Sequence, residues 1–210
     1  SGLFPLVNPV AVSILFVSAC LMTFGVEYER YFEGAKFIHF LLWPTTVALA
    51  IPIYLNWAII LKTRHAILMS VSLGSLFAIG ITFALAHLLQ LDPVTVKSLL
   101  PRNETAPIAM GISEIIGGVP SLTAIITIVT GIVGAALGTF VLDLFKIRNM
   151  AARGFAFGLA SHGIGTARAM SRDSQAGVFA AVAMGLSGII TAAIIPLAFI
   201  ILRDFSGSDG

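Results

Sequence analysis

Gly154-Phe-Ala-Phe-Gly-Leu-Ala-Ser-His-Gly-Ile-Gly-Thr-Ala-Arg-Ala-Met-Ser-Arg172 is the stretch whose reading decides the fold. Glycines, Ser161, His162, Thr166 and Arg168 interrupt an otherwise apolar run. Hydrocarbon cannot satisfy a free backbone N–H or C=O, so such a run must pack against protein or line a watery cavity. The segment therefore reads as a broken helix at a binding site.

Composition supplies the setting. Hydrophobic residues make up 58% of the 210 residues, charged residues 10%, and mean hydropathy is +1.00. A soluble domain carries roughly 25% charge, so this is an integral membrane chain. A formal net charge of +2, with basic residues scattered among loops, gives nucleic acid nothing to bind. The single cysteine, Cys20, allows no intrachain disulfide and reads as a small packed hydrophobe. No signal peptide precedes the first apolar run, and Ser1-Gly2 and Ser206 to Gly210 are set aside as terminal remnants.

Outward from the central stretch, Val7 to Phe24, Ala66 to Leu89, Ser121 to Phe145 and Ala176 to Leu202 are each long enough to cross a bilayer, which takes about 20 residues. Glu27 to Gly34 reads as an interfacial loop anchored by Tyr28, Tyr31 and Phe32. Phe37 to Leu61 carries Pro44 and Pro52, which should break or kink it, and adjacent Thr45 and Thr46 favour a cavity there. Gly131, Gly134 and Gly138 suit close helix contact. The basic loop of Lys146, Arg148 and Arg153 belongs on the cytoplasmic side. The four histidines, His87 among them, lack metal-ligand spacing, so no metal site and no cofactor are expected.

Between the spans, Thr105 as N-cap, Pro107 in the first turn and Gly117-Gly118 as a stop predict a helix of about three turns. It is too short to span. With Ser113 and Glu114 among apolar neighbours, it is either a re-entrant element whose N-terminal dipole looks into the protein or a helix lying on the membrane surface. Span, broken segment and span then recur at 7–91 and 121–202, joined by the helix at 105–118. Three crossings in each half would make the repeats inverted, as in secondary transporters.

At the site, Gly163 and Gly165 should let the chain unwind and bring N–H groups near a ligand. Thr166 should cap the half-helix that restarts there. Arg168 either offers paired planar donors to a carboxylate or snorkels to the interface. His162 either donates to an anion or carries a coupling proton. The full substrate-binding set is Ser161, His162, Gly163, Gly165, Thr166, Arg168, Thr45, Thr46, Asn103, Thr105 and Pro107, with Glu104, Glu114 and His162 as ion-coupling candidates. Ser161 beside His162 lacks a nucleophile elbow and no acid pair is suitably spaced, so an enzyme is not expected.

Ala160-Ser-His-Gly-Ile-Gly-Thr-Ala-Arg-Ala169 resembles the LrgB/CidB family. So do Thr105-Ala-Pro-Ile-Ala-Met110, Gly117-Gly-Val-Pro-Ser-Leu-Thr123, Val47-Ala-Leu-Ala-Ile-Pro-Ile-Tyr54 and Tyr31-Phe-Glu-Gly34, and the resemblance covers nearly the whole chain. Members usually carry one more hydrophobic helix before the segment matching Asn8-Pro9. The resemblance implies a multi-pass protein of the bacterial inner membrane and one of two functions. One is a holin-like or antiholin-like modulator of murein hydrolase export and autolysis, often encoded with a small LrgA/CidA partner. The other is a carrier of small 2-hydroxy carboxylates, as in the C-terminal half of the plastidal glycolate/glycerate translocator. A holin needs oligomerising amphipathic faces, whereas the Gly/Thr/His/Arg cluster suits an anion. The reading is a secondary carrier of the glycolate, glycerate, lactate and pyruvate class, all-α, with an inverted-repeat bundle, membrane lipid around it and a homodimer as its assembly.

Overall fold

The computed structural model describes residues 9–41, 44, 47, 48 and 50–206. Regular structure among them is helical, and three helices are long and apolar enough to cross a bilayer. The chain is an all-α polytopic membrane protein, as composition requires. Thr45 and Thr46, expected at a broken segment, lie outside the described residues.

The described residues fall into two units, 1–57 and 58–210. In the first lie α1 (Pro9–Phe24), α2 (Tyr28–Phe40) and α3 (Ala50–Leu55). The expected interfacial loop at 27–34 is instead the start of α2. Its residues favour that: Glu29 sits in the first turn, Lys36 Nζ reaches Glu33 Oε2 at 2.6 Å across one turn, and Tyr28 stacks on Phe32 at 5.8 Å. The Pro-bearing run from 37 to 61 is divided: α2 stops at Phe40, α3 holds Pro52 within it, and α4 (Trp57–Lys62) starts after Asn56, while the residues on either side of Pro44 lie outside the described ones.

The second unit contains α5 (Arg64–Leu88), α6 (Pro93–Leu99), α7 (Ala106–Ile116), α8 (Pro120–Leu144), α9 (Met150–Met170) and α10 (Ser174–Ser206). α10 is the central post. In its most apolar window 61% of residues are buried, against 22% for α5 and for α8, so α10 is the most enclosed of the three. α10 packs along α9 and also touches α5 and α7.

Local chemistry explains the boundaries. Gly117 ends α7 in the left-handed region, φ 77°, where only glycine is unstrained. Thr105 occupies the N-cap position of α7 without a side-chain hydrogen bond. A buried hydroxyl cluster fastens the short helices to α8. Thr123 Oγ1 lies 2.8 Å from Ser113 Oγ and 3.0 Å from the carbonyl of Ser98, while Ser98 Oγ accepts from Val119 N at 2.8 Å. Those bonds tie α6 and α7 to the first turn of α8.

α6 is a helix that the sequence reading missed, although Asp92-Pro93 spells its start. Asp92 Oδ1 accepts from Val94 N and Thr95 N, each at 3.0 Å, and Pro93 fills the first position. Hydrogen bonds from Thr95, side chain first and then backbone, hold the Asp92 carboxyl below its ordinary 3.8. A depressed acid contributes stability above its unfolded pKa and loses it as pH falls through the folded value. Asp92→Asn, which caps without charge, should therefore melt below the parent at about pH 6, and the gap should be narrower at about pH 3, where the carboxylate begins to lose its charge. Thermal unfolding in detergent at both pH values checks this, and an equal gap at both would refute it.

Candidate functional site

The backbone of α9 leaves helical geometry at Ser161 (φ −138°, ψ 17°) and His162 (φ 39°, ψ −131°), dividing it into 150–160 and 163–170. The helix is broken, as expected, but the residues that bend are not the glycines. His162 itself takes the positive φ, a conformation costly for a side-chain-bearing residue. It is over-determined by packing. His162 is 6% exposed, and its ring Nε2–H donates to the carbonyl of Thr127 on α8 at 2.9 Å. A carbonyl only accepts, so this nitrogen carries the hydrogen and Nδ1 is left as the acceptor. Any proton that His162 gains must go to Nδ1.

The glycines make room for approach. A Cβ at Gly165 would strike the carbonyl of Phe157 and the Ser161 side chain, whereas Gly163 is exposed with open space beside it. On α8, Gly131 faces the His162 ring, Gly134 the Ser161 hydroxyl and Gly138 the Phe157 ring. This stripe therefore seats α9 of the same chain and is not free for a second copy.

Thr166 does not cap the restarting half-helix. Its hydroxyl donates to the carbonyl of His162 one turn back at 2.8 Å and lies 3.7 Å from Met184 Sδ. A threonine inside a helix has that carbonyl within reach, while the cap position falls earlier, at the break itself. Two buried hydroxyls at the break, Ser161 Oγ and Thr127 Oγ1, have no hydrogen-bond partner among the described residues.

Beside the break lies an open-sided cavity of about 450 Å³. Arg102, Asn103 and Thr130 give it polar groups, Ile125, Val129 and Val133 an apolar wall, and Gly134 and Ala160 bring it against the broken helix. Its size falls in the usual range for small-molecule sites, roughly 300–1,000 Å³. Arg102 was not among the expected residues. The signal was present: Pro101-Arg-Asn-Glu-Thr105 is a charged segment confined between two short helices and flanked by prolines, in a chain with few charges.

The remaining expected residues scatter around this centre. Asn103 lines the cavity, and Glu104 turns the other way and is buried against α10. Thr105 is half-buried, Pro107 exposed, and Glu114 exposed on α7. Arg168 sits in the last turn of α9, partly exposed, with Nε buried and unpartnered, and it is not among the residues lining the Arg102 cavity. Among the described residues no group of three or more His, Cys, Asp or Glu is placed to hold a metal ion.

The sequence comparisons agree with one another. A model of the LrgB-like family matches residues 2–201. YwbG of Bacillus subtilis (strain 168) is 38% identical over 184 residues, 88% of this chain and 82% of that protein. A protein of Staphylococcus epidermidis named holin-like protein CidB is 33% identical over 193 residues, 92% of this chain and 84% of its own. YxaC of Bacillus subtilis is 36% identical over 186 residues, covering 89% and 81%. No solved structure matches the chain.

Proposed function

We propose, since this chain belongs to the LrgB-like family and forms an arginine-headed cavity against a broken helix, that it carries small carboxylate anions across the membrane. It is a multi-pass bacterial membrane protein, with spans at Arg64–Leu88, Pro120–Leu144 and Ser174–Ile201. The observation that carries the proposal is the juxtaposition of Arg102, Asn103 and Thr130 with the break at Ser161–His162. A guanidinium recognises a carboxylate through paired donors, and the amide and hydroxyl suit a 2-hydroxy or 2-oxo group. Ile125, Val129 and Val133, all exposed on α8, give the pocket its apolar side. Substrates of the glycolate, glycerate, lactate and pyruvate class fit this chemistry.

The order span, broken helix, span in α8, α9 and α10 supports the inverted-repeat reading, in which 121–202 answers 7–91 and α7 is the re-entrant joint. A homodimer and a small LrgA/CidA-type partner belong to the same reading. Any such contact must use faces other than the Gly131, Gly134 and Gly138 stripe.

A second reading is favoured by one specific observation: the Staphylococcus epidermidis relative is named a holin-like protein. On that reading the chain modulates a pore that governs murein hydrolase export and autolysis. Labelled glycolate uptake into proteoliposomes, run beside release of a trapped dye, separates the two. Saturable uptake without leakage supports the carrier, and leakage without saturable uptake supports the pore modulator and overturns the carrier.

A further inference from the structure

The segment 101–105 faces two cavities, and the second contains an acid with no cation beside it among the described residues. Glu104 is 2% exposed; its Oε1 accepts from Thr191 Oγ1 at 2.8 Å and its Oε2 from Ser187 Oγ at 3.0 Å. Both hydroxyls belong to α10, between whose residues 174 and 201 no charged side chain occurs. Next to the carboxylate is a cavity of about 10 Å³, whose polar lining comes from Ser75, Asn103, Glu104 and Thr191, with Ile79 and Leu159 among its apolar walls. That volume is about what one water-sized species needs.

Ser75 supplies the second observation. It is 4% exposed, it lines this cavity, and its hydroxyl has no hydrogen-bond partner among the described residues. A buried polar atom without a partner stands in need of one. The titratable groups on the surrounding helices lie elsewhere. Arg64, His65 and His87 are at the ends of α5, Lys97 of α6 lies 5.9 Å over the Phe199 ring, and Glu114 is exposed on α7. Arg153 of α9 is bound to Asp143, His162 to Thr127, and Arg168 sits at the far end of α9. Arg102, next in sequence, heads the other cavity.

We propose that Glu104, Ser75, Thr191 and Asn103 form the site of one monovalent positive charge, a sodium ion or a proton, that travels with the substrate anion. The donor set is all oxygen or amide with a single carboxylate, which suits a hard cation of unit charge. A hydroxyl that donates to Glu104 keeps lone pairs for the ion. An unneutralised buried carboxylate repels an anion in the adjoining cavity, and neutralising it removes that repulsion, so each charge favours binding of the other. Asn103, which lines both cavities, links the two sites.

The inference rests on the carrier reading, and its test separates the two. The parent protein and Glu104→Gln, which keeps the shape and one accepting oxygen while its amide N–H donates to the other hydroxyl, are melted in detergent without substrate. Sodium chloride is compared with choline chloride at equal ionic strength, and the pH is then varied in choline alone. Glycolate uptake into vesicles follows, under a sodium gradient, a pH gradient, or neither. The parent should be stabilised by sodium if the ion is sodium, or by acid alone if it is a proton, and Glu104→Gln should lose that response. A tenfold gradient should let the parent accumulate glycolate up to about tenfold, the limit of one-to-one coupling. Glu104→Gln should still exchange glycolate but not concentrate it. Ser75→Ala, which removes a hydroxyl bonded to nothing else, should raise the sodium or proton concentration required by about tenfold. Cation-dependent melting lost in Glu104→Gln, in a protein that moves no carboxylate, supports the site and overturns the carrier. A parent whose melting ignores both ions, or a Glu104→Gln that responds as the parent does, overturns the site.

Discussion

Arg102→Ala should raise the glycolate concentration for half-maximal uptake by about ten- to a hundredfold, because a lost charge-assisted hydrogen bond is worth roughly 1.5 to 3 kcal/mol. Arg102→Lys should fall between, since an ammonium keeps the charge but loses the paired planar donors. The residue is half-buried and in a turn, so both variants should insert and melt near the parent. Arg168 is the matched comparison. It carries the same side chain but lies in the last turn of α9, outside the Arg102 cavity. With the carboxylate in that cavity, Arg168→Ala leaves the half-saturation concentration close to the parent's. Kinetics of uptake by the two alanine variants, reconstituted at equal density, decide which guanidinium meets the substrate. A large effect at Arg168 and none at Arg102 moves the site to the end of the broken helix.

The largest stability effect is expected at Gly158. A Cβ there would meet the main chain of Ala180, and one at Gly154 the main chain of Ala176. Backbone in the middle of a helix cannot swing aside as a side-chain tip does. Gly158→Ala must therefore push α9 and α10 apart, at a cost of about 1 to 3 kcal/mol for overpacking. That is a large share of a total stability of about 5 to 15 kcal/mol. Adding Gly154→Ala should deepen the loss. Gly185→Ala, in α10 with open space beside it, should be neutral or should stabilise by up to about 1 kcal/mol through helix propensity. Melting of the variants in one detergent tests the contrast, and equal shifts for Gly158→Ala and Gly185→Ala would refute the close approach of the two backbones.

Much of the fold was legible because bilayer thickness and helical rise turn apolar length into spans, and α5, α8 and α10 begin and end within a few residues of expectation. The short helix α7 was equally legible, since Pro107 and Gly117 mark its ends by backbone chemistry alone. The position of the break in α9 could be read from its polar interruptions. Which residue bends could not: His162 holds φ 39° because Thr127 of another helix fixes its ring, a tertiary fact invisible in local propensity. Thr166 was misread for a related reason, since only the register of the break shows that the cap position lies upstream. Arg102 escaped because charged residues between spans ordinarily mark water-facing loops, and nothing local says that this turn folds back against α8 and α9.

The placement of α10 has a consequence for biogenesis. It follows α5, α7 and α9 in the chain, yet it is the post that all three lean on. Until it arrives, Glu104 lacks Ser187 and Thr191, whose hydroxyls lie 83 and 87 residues further along the chain. A chain stopped before α10 therefore holds a carboxylate without its hydroxyl partners, and Gly154 and Gly158 without the backbone they pack against.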